Sequence, residues 1–130
     1  MWRDIVLGIV ALLLAANGLH MLLAPEHWYH SLESVPHTGP FNPHFVRDIG
    51  CAFATLAIGL AAAAWRPRWR APLLGLTAVF FTAHAALHVF DTLRGALDAG
   101  HWALDFPGVY LPGALLVALA WLALRRDSRA

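Results

Sequence analysis

The 130-residue chain has room for one domain, and 59% of it is hydrophobic while only 13% is charged, against about 25% charged in an ordinary soluble domain. With a mean hydropathy of +0.59, that balance excludes a surface covered in water and predicts an integral membrane protein. A formal net charge of +1 excludes a nucleic-acid binder that works by bulk electrostatics, and the single cysteine, Cys51, excludes an intrachain disulfide or a CxxC motif.

Four stretches reach the roughly 20 apolar residues that a bilayer core of about 30 Å requires. The first covers residues 5–24 and stops at Pro25, which cannot continue a helix. Its flank offers only Arg3, balanced by Asp4, and no A-x-A site follows, so a membrane span fits better than a signal peptide. The segment SVPHTGPFNP (residues 34–43), with three prolines and a glycine, predicts a compact, stiff lid. The second span covers residues 45–64, and its small residues Cys51, Thr55, Gly59 and Ala63 recur every four positions, a stripe suited to close helix approach. The third covers residues 71–90, with Pro72 in the first turn, where a missing N–H costs nothing. The fourth covers residues 106–124 and contains Pro112-Gly113, which predicts a kink. Spans 1–2 and 3–4 form two similar hairpins, without a residue-level repeat. The expected fold is an all-α, integral membrane four-helix transmembrane bundle in a single domain.

Arginine placement sets the expected direction, because short cytoplasmic loops concentrate positive charge. Seven of the nine arginines (Arg3, Arg66, Arg68, Arg70, Arg125, Arg126 and Arg129) fall on one side of a four-span arrangement, leaving Arg47 and Arg94 for the other. Both termini are therefore expected in the cytoplasm, N-in and C-in. Trp2, Trp65, Trp69 and Trp121 line the inner boundary and Trp28, Tyr29, Trp102 and Tyr110 the outer one, as an aromatic belt requires. Arginine without lysine, in an alanine-rich chain, suggests a GC-rich bacterial genome and hence a multi-pass protein of the bacterial inner membrane.

All eight histidines (His20, His27, His30, His37, His44, His84, His88 and His101) then lie in the outer half. So do six of the eight carboxylates: Glu26, Glu33, Asp48, Asp91, Asp98 and Asp105. Asn17 and His20 share one face of the first span, His44 and Asp48 one face of the second with Arg47 beside them, and His84, His88 and Asp91 one face of the third. At 1.5 Å rise per residue, His20, Asp48, His84 and His88 each sit within about 10 Å of the outer end of their helix. Ionisable groups at such depth mark a functional layer by default.

Three readings of this layer stand side by side. In the first, His20, His84, His88, Asp48 and Asp91 hold a transition metal, supported by Asn17, His44 and Arg47. The imidazole and carboxylate donors favour zinc or iron over copper(I); haem, with His20 and His84 or His88 as axial ligands, is the variant for electron transfer. No HExxH is present, which argues against a metalloprotease. In the second, the layer is a pocket that handles protons or a small solute. In the third, the chain is a cofactor-free accessory or structural subunit. There, Arg47–Asp48 and His88–Asp91 are ion pairs, His20 and His84 bond across helices at about 0.6 kcal/mol each, and His27, His30, His37 and His101 are surface residues. The partners expected are the lipid bilayer, with either a second copy of the chain or another membrane protein, and no nucleic acid.

The lead-in GPFNPHF (residues 39–45) and the start HFVRDIG (residues 44–50) of the second span, on a four-span plan, resemble small bacterial inner-membrane proteins of DoxX-like architecture. The resemblance implies a location and a fold, and names no substrate; no residue matches a catalytic motif of the DoxX-like group, which is linked to quinone-coupled redox chemistry. Disulfide-forming four-span oxidoreductases need cysteine pairs, and small multidrug exporters a glutamate in their first helix; the chain has neither.

Overall fold

The computed structural model describes residues 2–127, and Arg129, one of the arginines expected on the inner side, lies outside them. The regular secondary structure of the described residues is entirely helical, without strands. They comprise α1 (Trp2–Leu23), α2 (Pro25–Ser31), α3 (Pro43–Trp65), α4 (Arg70–Leu93), α5 (His101–Leu104) and α6 (Leu111–Asp127), with 3₁₀ turns at Val35–Thr38 and Pro67–Trp69 and a π-helical turn at Phe106–Tyr110. Four segments are long and apolar enough to cross a membrane: Trp2–Leu23, Pro43–Trp65, Pro67–Leu93 and Phe106–Arg125. Each overlaps one of the four expected spans. The chain divides into two compact units, the first ending at Trp69 and the second beginning at Arg70.

The first unit is an antiparallel pair of α1 and α3. Leu7, Ala11, Leu14, Gly18 and Met21 are buried on α1, and Val46, Gly50, Phe53, Leu56, Ala57, Leu60 and Ala63 on α3. Both sets repeat every three or four residues, the spacing of one helix face. The backbones come closest where Gly18 meets Gly50. A Cβ on Gly50 would lie 2.9 Å from Met21 Cβ and 3.0 Å from Gly18 O, and one on Gly18 would lie 3.0 Å from both Gly50 O and Ala54 N. The line of close approach therefore sits one residue away from the expected stripe. Cys51 and Thr55 are exposed, and of that stripe only Gly59, half-buried, and Ala63, buried, turn inward.

Pro25 opens α2 instead of an irregular loop, because a helix tolerates proline at its first position. The stiff segment that follows is held by the Tyr29 hydroxyl, which donates to Gly39 O at 2.6 Å. Phe41 packs against the Tyr29 and His30 rings. Asn42 then caps α3, its side-chain oxygen accepting from the backbone N–H groups of His44 and Phe45 at 3.1 Å each, with Pro43 next.

The second unit pairs α4 with α6, also antiparallel: Gly113 lies against Phe81 O, with the Ala85 Cβ alongside. Ala71, Leu74, Thr77, Ala78 and Phe81 are buried on α4, and Leu116, Leu119, Ala120 and Ala123 on α6. α4 ends in a Schellman motif. Gly95 takes φ +76°, its N–H bonds Thr92 O at 3.2 Å, and Ala96 N–H bonds Asp91 O at 2.9 Å. The chain then returns through α5 to the π turn, where Val109 N–H and Tyr110 N–H both reach Asp105 O, at 2.8 and 3.3 Å. The π turn at Phe106–Tyr110 runs directly into α6, Leu111 N–H bonding Phe106 O, one turn before the expected irregularity at Pro112-Gly113.

In all four spans only 22 to 33% of the apolar window is buried. Ile5, Leu12, Leu13, Ile58, Leu76 and Val79 are each more than half exposed. The apolar excess of these helices thus faces outward.

Candidate functional site

The second unit gathers a histidine–carboxylate cluster around Asp105. This residue stands between α5 and the π turn, held there by its own backbone: its N–H bonds His101 O at 3.0 Å and its carbonyl receives Val109 and Tyr110. Its side chain is 1% exposed. Oδ2 accepts from His88 Nδ1 at 2.8 Å and from His101 Nδ1 at 3.0 Å. His101 is fully buried and His88 nearly so.

Burial pushes the Asp105 carboxyl up, but the hydrogen bonds from His88 and His101, with the attraction of both rings, outweigh it and hold the group below the usual carboxylate range. Asp105 is therefore ionised at neutral pH and can only accept. Both Nδ1 atoms must then carry hydrogen. Neutral His88 is thereby fixed as the tautomer whose Nε2 is a bare lone pair. Asp105 Oδ1 is buried and has no hydrogen-bond partner among the described residues.

His84, one helical turn before His88, stands edge-on to it with ring centroids 4.7 Å apart. Phe80, a further turn back, stacks on His84 at 6.3 Å and 12°. Together α4 presents Phe80, His84 and His88 as one stripe ending on the carboxylate. Asp91, expected to join them, does not. Its Oδ1 accepts from Arg94 Nε at 2.8 Å on the exposed end of α4, so the expected His88–Asp91 pair is replaced by His88–Asp105.

The remaining expected residues lie in the first unit. His20 Nε2 faces His27 Nδ1 at 2.8 Å, and Asn17 accepts from the Trp28 indole N–H at 2.8 Å. Asp48 and His44 form an exposed i,i+4 pair at 3.5 Å. Arg47 reaches back to donate to Leu22 O at 3.3 Å, instead of pairing with its neighbour Asp48 as expected. His20 and Asp48 thus have separate partners within this unit.

Two residues expected only in the outer loops, His101 and Asp105, are central to the cluster. His101, expected at the surface, is the most deeply buried histidine of the described residues. The H-x-x-x-D spacing of His101 and Asp105 was the available signal, since it puts both on one face of a helical turn. Comparison with family models, curated proteins and solved structures finds no match to this chain.

Proposed function

We propose that this is a multi-pass protein of the bacterial inner membrane that binds a transition-metal ion through His84 and His88. One observation carries the reading: a buried, ionised Asp105 holds His88 by Nδ1, leaving Nε2 as a bare donor one turn from His84. Metal-binding histidines typically give their second ring N–H to such a carboxylate, which fixes tautomer and ring orientation. Asp105 is thus the orienting group and His101 the clamp on its other side, while His84 and His88 are the ligands. Two protein ligands leave coordination positions open, which suits handling an ion or activating a bound molecule better than a closed structural site. Imidazole donors beside a carboxylate favour zinc or iron. Haem is disfavoured at this pair, because two rings 4.7 Å apart on one helix cannot bracket a porphyrin as axial ligands.

The purified chain is expected to take up one metal ion per chain more than the His84→Ala/His88→Ala protein, measured by elemental analysis after dialysis. Asp105→Asn is expected to weaken uptake roughly 10- to 100-fold, the usual cost of an outer-shell partner. Equal uptake by all three proteins would remove the reading. A cofactor-free accessory subunit is the second reading, favoured by the fact that Asp105 Oδ2 already satisfies both imidazole donors without an ion. It predicts no metal dependence and a shared loss of stability in the same variants.

The direction proposed is both termini inside. Guanidinium groups lie over indoles at Trp2–Arg3, Trp65–Arg66, Trp69–Arg68 and Trp121–Arg125, the last at 3.6 Å. These aromatic–cationic pairs sit at the span ends where the arginines are concentrated, which suits an anionic cytoplasmic leaflet. In a Cys51→Ser background, Arg68→Cys should react with an impermeant maleimide only after the membrane is opened. Labelling from the outside of intact cells would invert the topology.

A further inference from the structure

A second histidine cluster lies in the first unit, outside the His84–His88 site. His20, near the end of α1, points Nε2 at His27 Nδ1 of α2 across 2.8 Å. Beside this contact the Trp28 indole donates to Asn17. Asn17 and His20 share a face of α1, and His27 and Trp28 are adjacent on α2, so two parallel side-chain bonds fix one helix against the other. His27 also lines a shallow, open cavity of about 400 Å³ with Glu26, His30 and Ser31. Glu26 and His30 are one turn apart on α2. A neighbouring cavity of about 550 Å³ is also lined by Glu26 and His27, together with Arg47.

Two neutral imidazoles sharing one proton gain little where water competes for both. A metal ion uses the same convergence more fully, because both facing nitrogens become donors to one cation. Tetrahedral zinc with Zn–N bonds of about 2.0–2.1 Å holds two nitrogens about 3.3 Å apart. Reaching that from 2.8 Å takes about half an ångström, within the reach of a side-chain rotation. The imidazole that donated the shared proton carries it on its other ring nitrogen instead, so both ligands stay neutral.

We propose that His20 and His27 are the two imidazole ligands of a second transition-metal site of the zinc class. Water completes the shell. The site is independent of His84 and His88 and stands whether or not those residues bind an ion.

The test uses the full chain carrying His84→Ala/His88→Ala, purified in detergent, depleted of metal and titrated calorimetrically with Zn²⁺. One zinc per chain is expected. His20→Ala or His27→Ala should weaken it by roughly tenfold or more, since losing a ligand costs no less than losing an outer-shell partner. Absence of zinc binding in the His84→Ala/His88→Ala protein, or binding that His20→Ala and His27→Ala leave unchanged, would overturn the proposal. Because removing His20 could also release α2, a second measurement keeps both imidazoles. Zinc should protect His20 and His27 from diethyl pyrocarbonate, read by peptide mass spectrometry, and unprotected residues would overturn it equally.

Discussion

Replacing Asp105 by alanine is the sharpest perturbation of the second unit. The carboxylate accepts two hydrogen bonds, at 2.8 and 3.0 Å, from rings that have little or no contact with solvent. Charge-assisted bonds of this kind contribute about 1.5–3 kcal/mol each. Alanine removes both acceptors at once, so the two bonds together set a loss of about 3–6 kcal/mol. Asparagine keeps one oxygen with two lone pairs but loses the charge, so two neutral bonds of about 0.5–1.5 kcal/mol each remain, and roughly half the loss is expected. The backbone bonds of Asp105 to Val109 and Tyr110 are untouched by either change. Equilibrium unfolding in mixed detergent micelles, followed by far-UV circular dichroism, measures the differences. The pH dependence supplies a separate check. The folded carboxyl is depressed below its unfolded value of about 3.9. Its contribution is therefore complete above that value and is lost as pH falls through the lower, folded one. The gap between wild type and Asp105→Ala should stay constant from pH 8 to 5 and close below about pH 4. A loss under about 1 kcal/mol on alanine substitution would refute the view that this carboxylate organises the unit. A gap that closes between pH 7 and 5 would assign the coupling to another group.

Two further outcomes follow from the first unit. Gly50→Val places a Cβ 2.9 Å from Met21 Cβ and 3.0 Å from Gly18 O, so the helix pair must separate at a cost of about 1–3 kcal/mol or more; Gly8→Ala, with nothing within 4 Å of its new Cβ, should instead raise stability by about 0.4–1 kcal/mol. Thermal unfolding of the two variants checks the contrast, and equal effects would contradict the close approach. Asn42→Ala removes the acceptor for His44 N–H and Phe45 N–H and should cost about 1 kcal/mol, seen as faster amide exchange confined to the first turn of α3.

The spans were legible because their cause is local. Twenty apolar residues bounded by Pro25, Asn42-Pro43 or a run of arginines determine a helix and its ends without reference to any partner. The seam inside the first unit was not, since its position depends on helix phase. A four-residue stripe starting at Cys51 and one starting at Gly50 differ by a single step, about 100° around the axis. Apolar residues on every side of α3 give no polar face from which to read that phase. Only the facing Gly18 selects Gly50, and that choice belongs to the pair of helices.

The site was half legible for a related reason. His84 and His88 announce themselves by spacing on one helix, but the carboxylate that matters is set by chain reversal. Asp91 is the nearer acid in sequence and on the same face by count, yet its carboxylate pairs with Arg94 where α4 ends in the Schellman turn. The same turn brings the chain back through α5, and the π turn then fixes Asp105 by accepting two N–H groups on one carbonyl. A glycine at positive φ and a widened helical turn thus decide which aspartate meets His88. Neither is visible as chemistry in the sequence; each is a backbone solution that only the closed hairpin imposes. The electrostatic result is what gives the cluster its proposed use. An ionised acid has no proton to give the two imidazoles it accepts from, so neutral His88 presents its Nε2 lone pair one turn from His84.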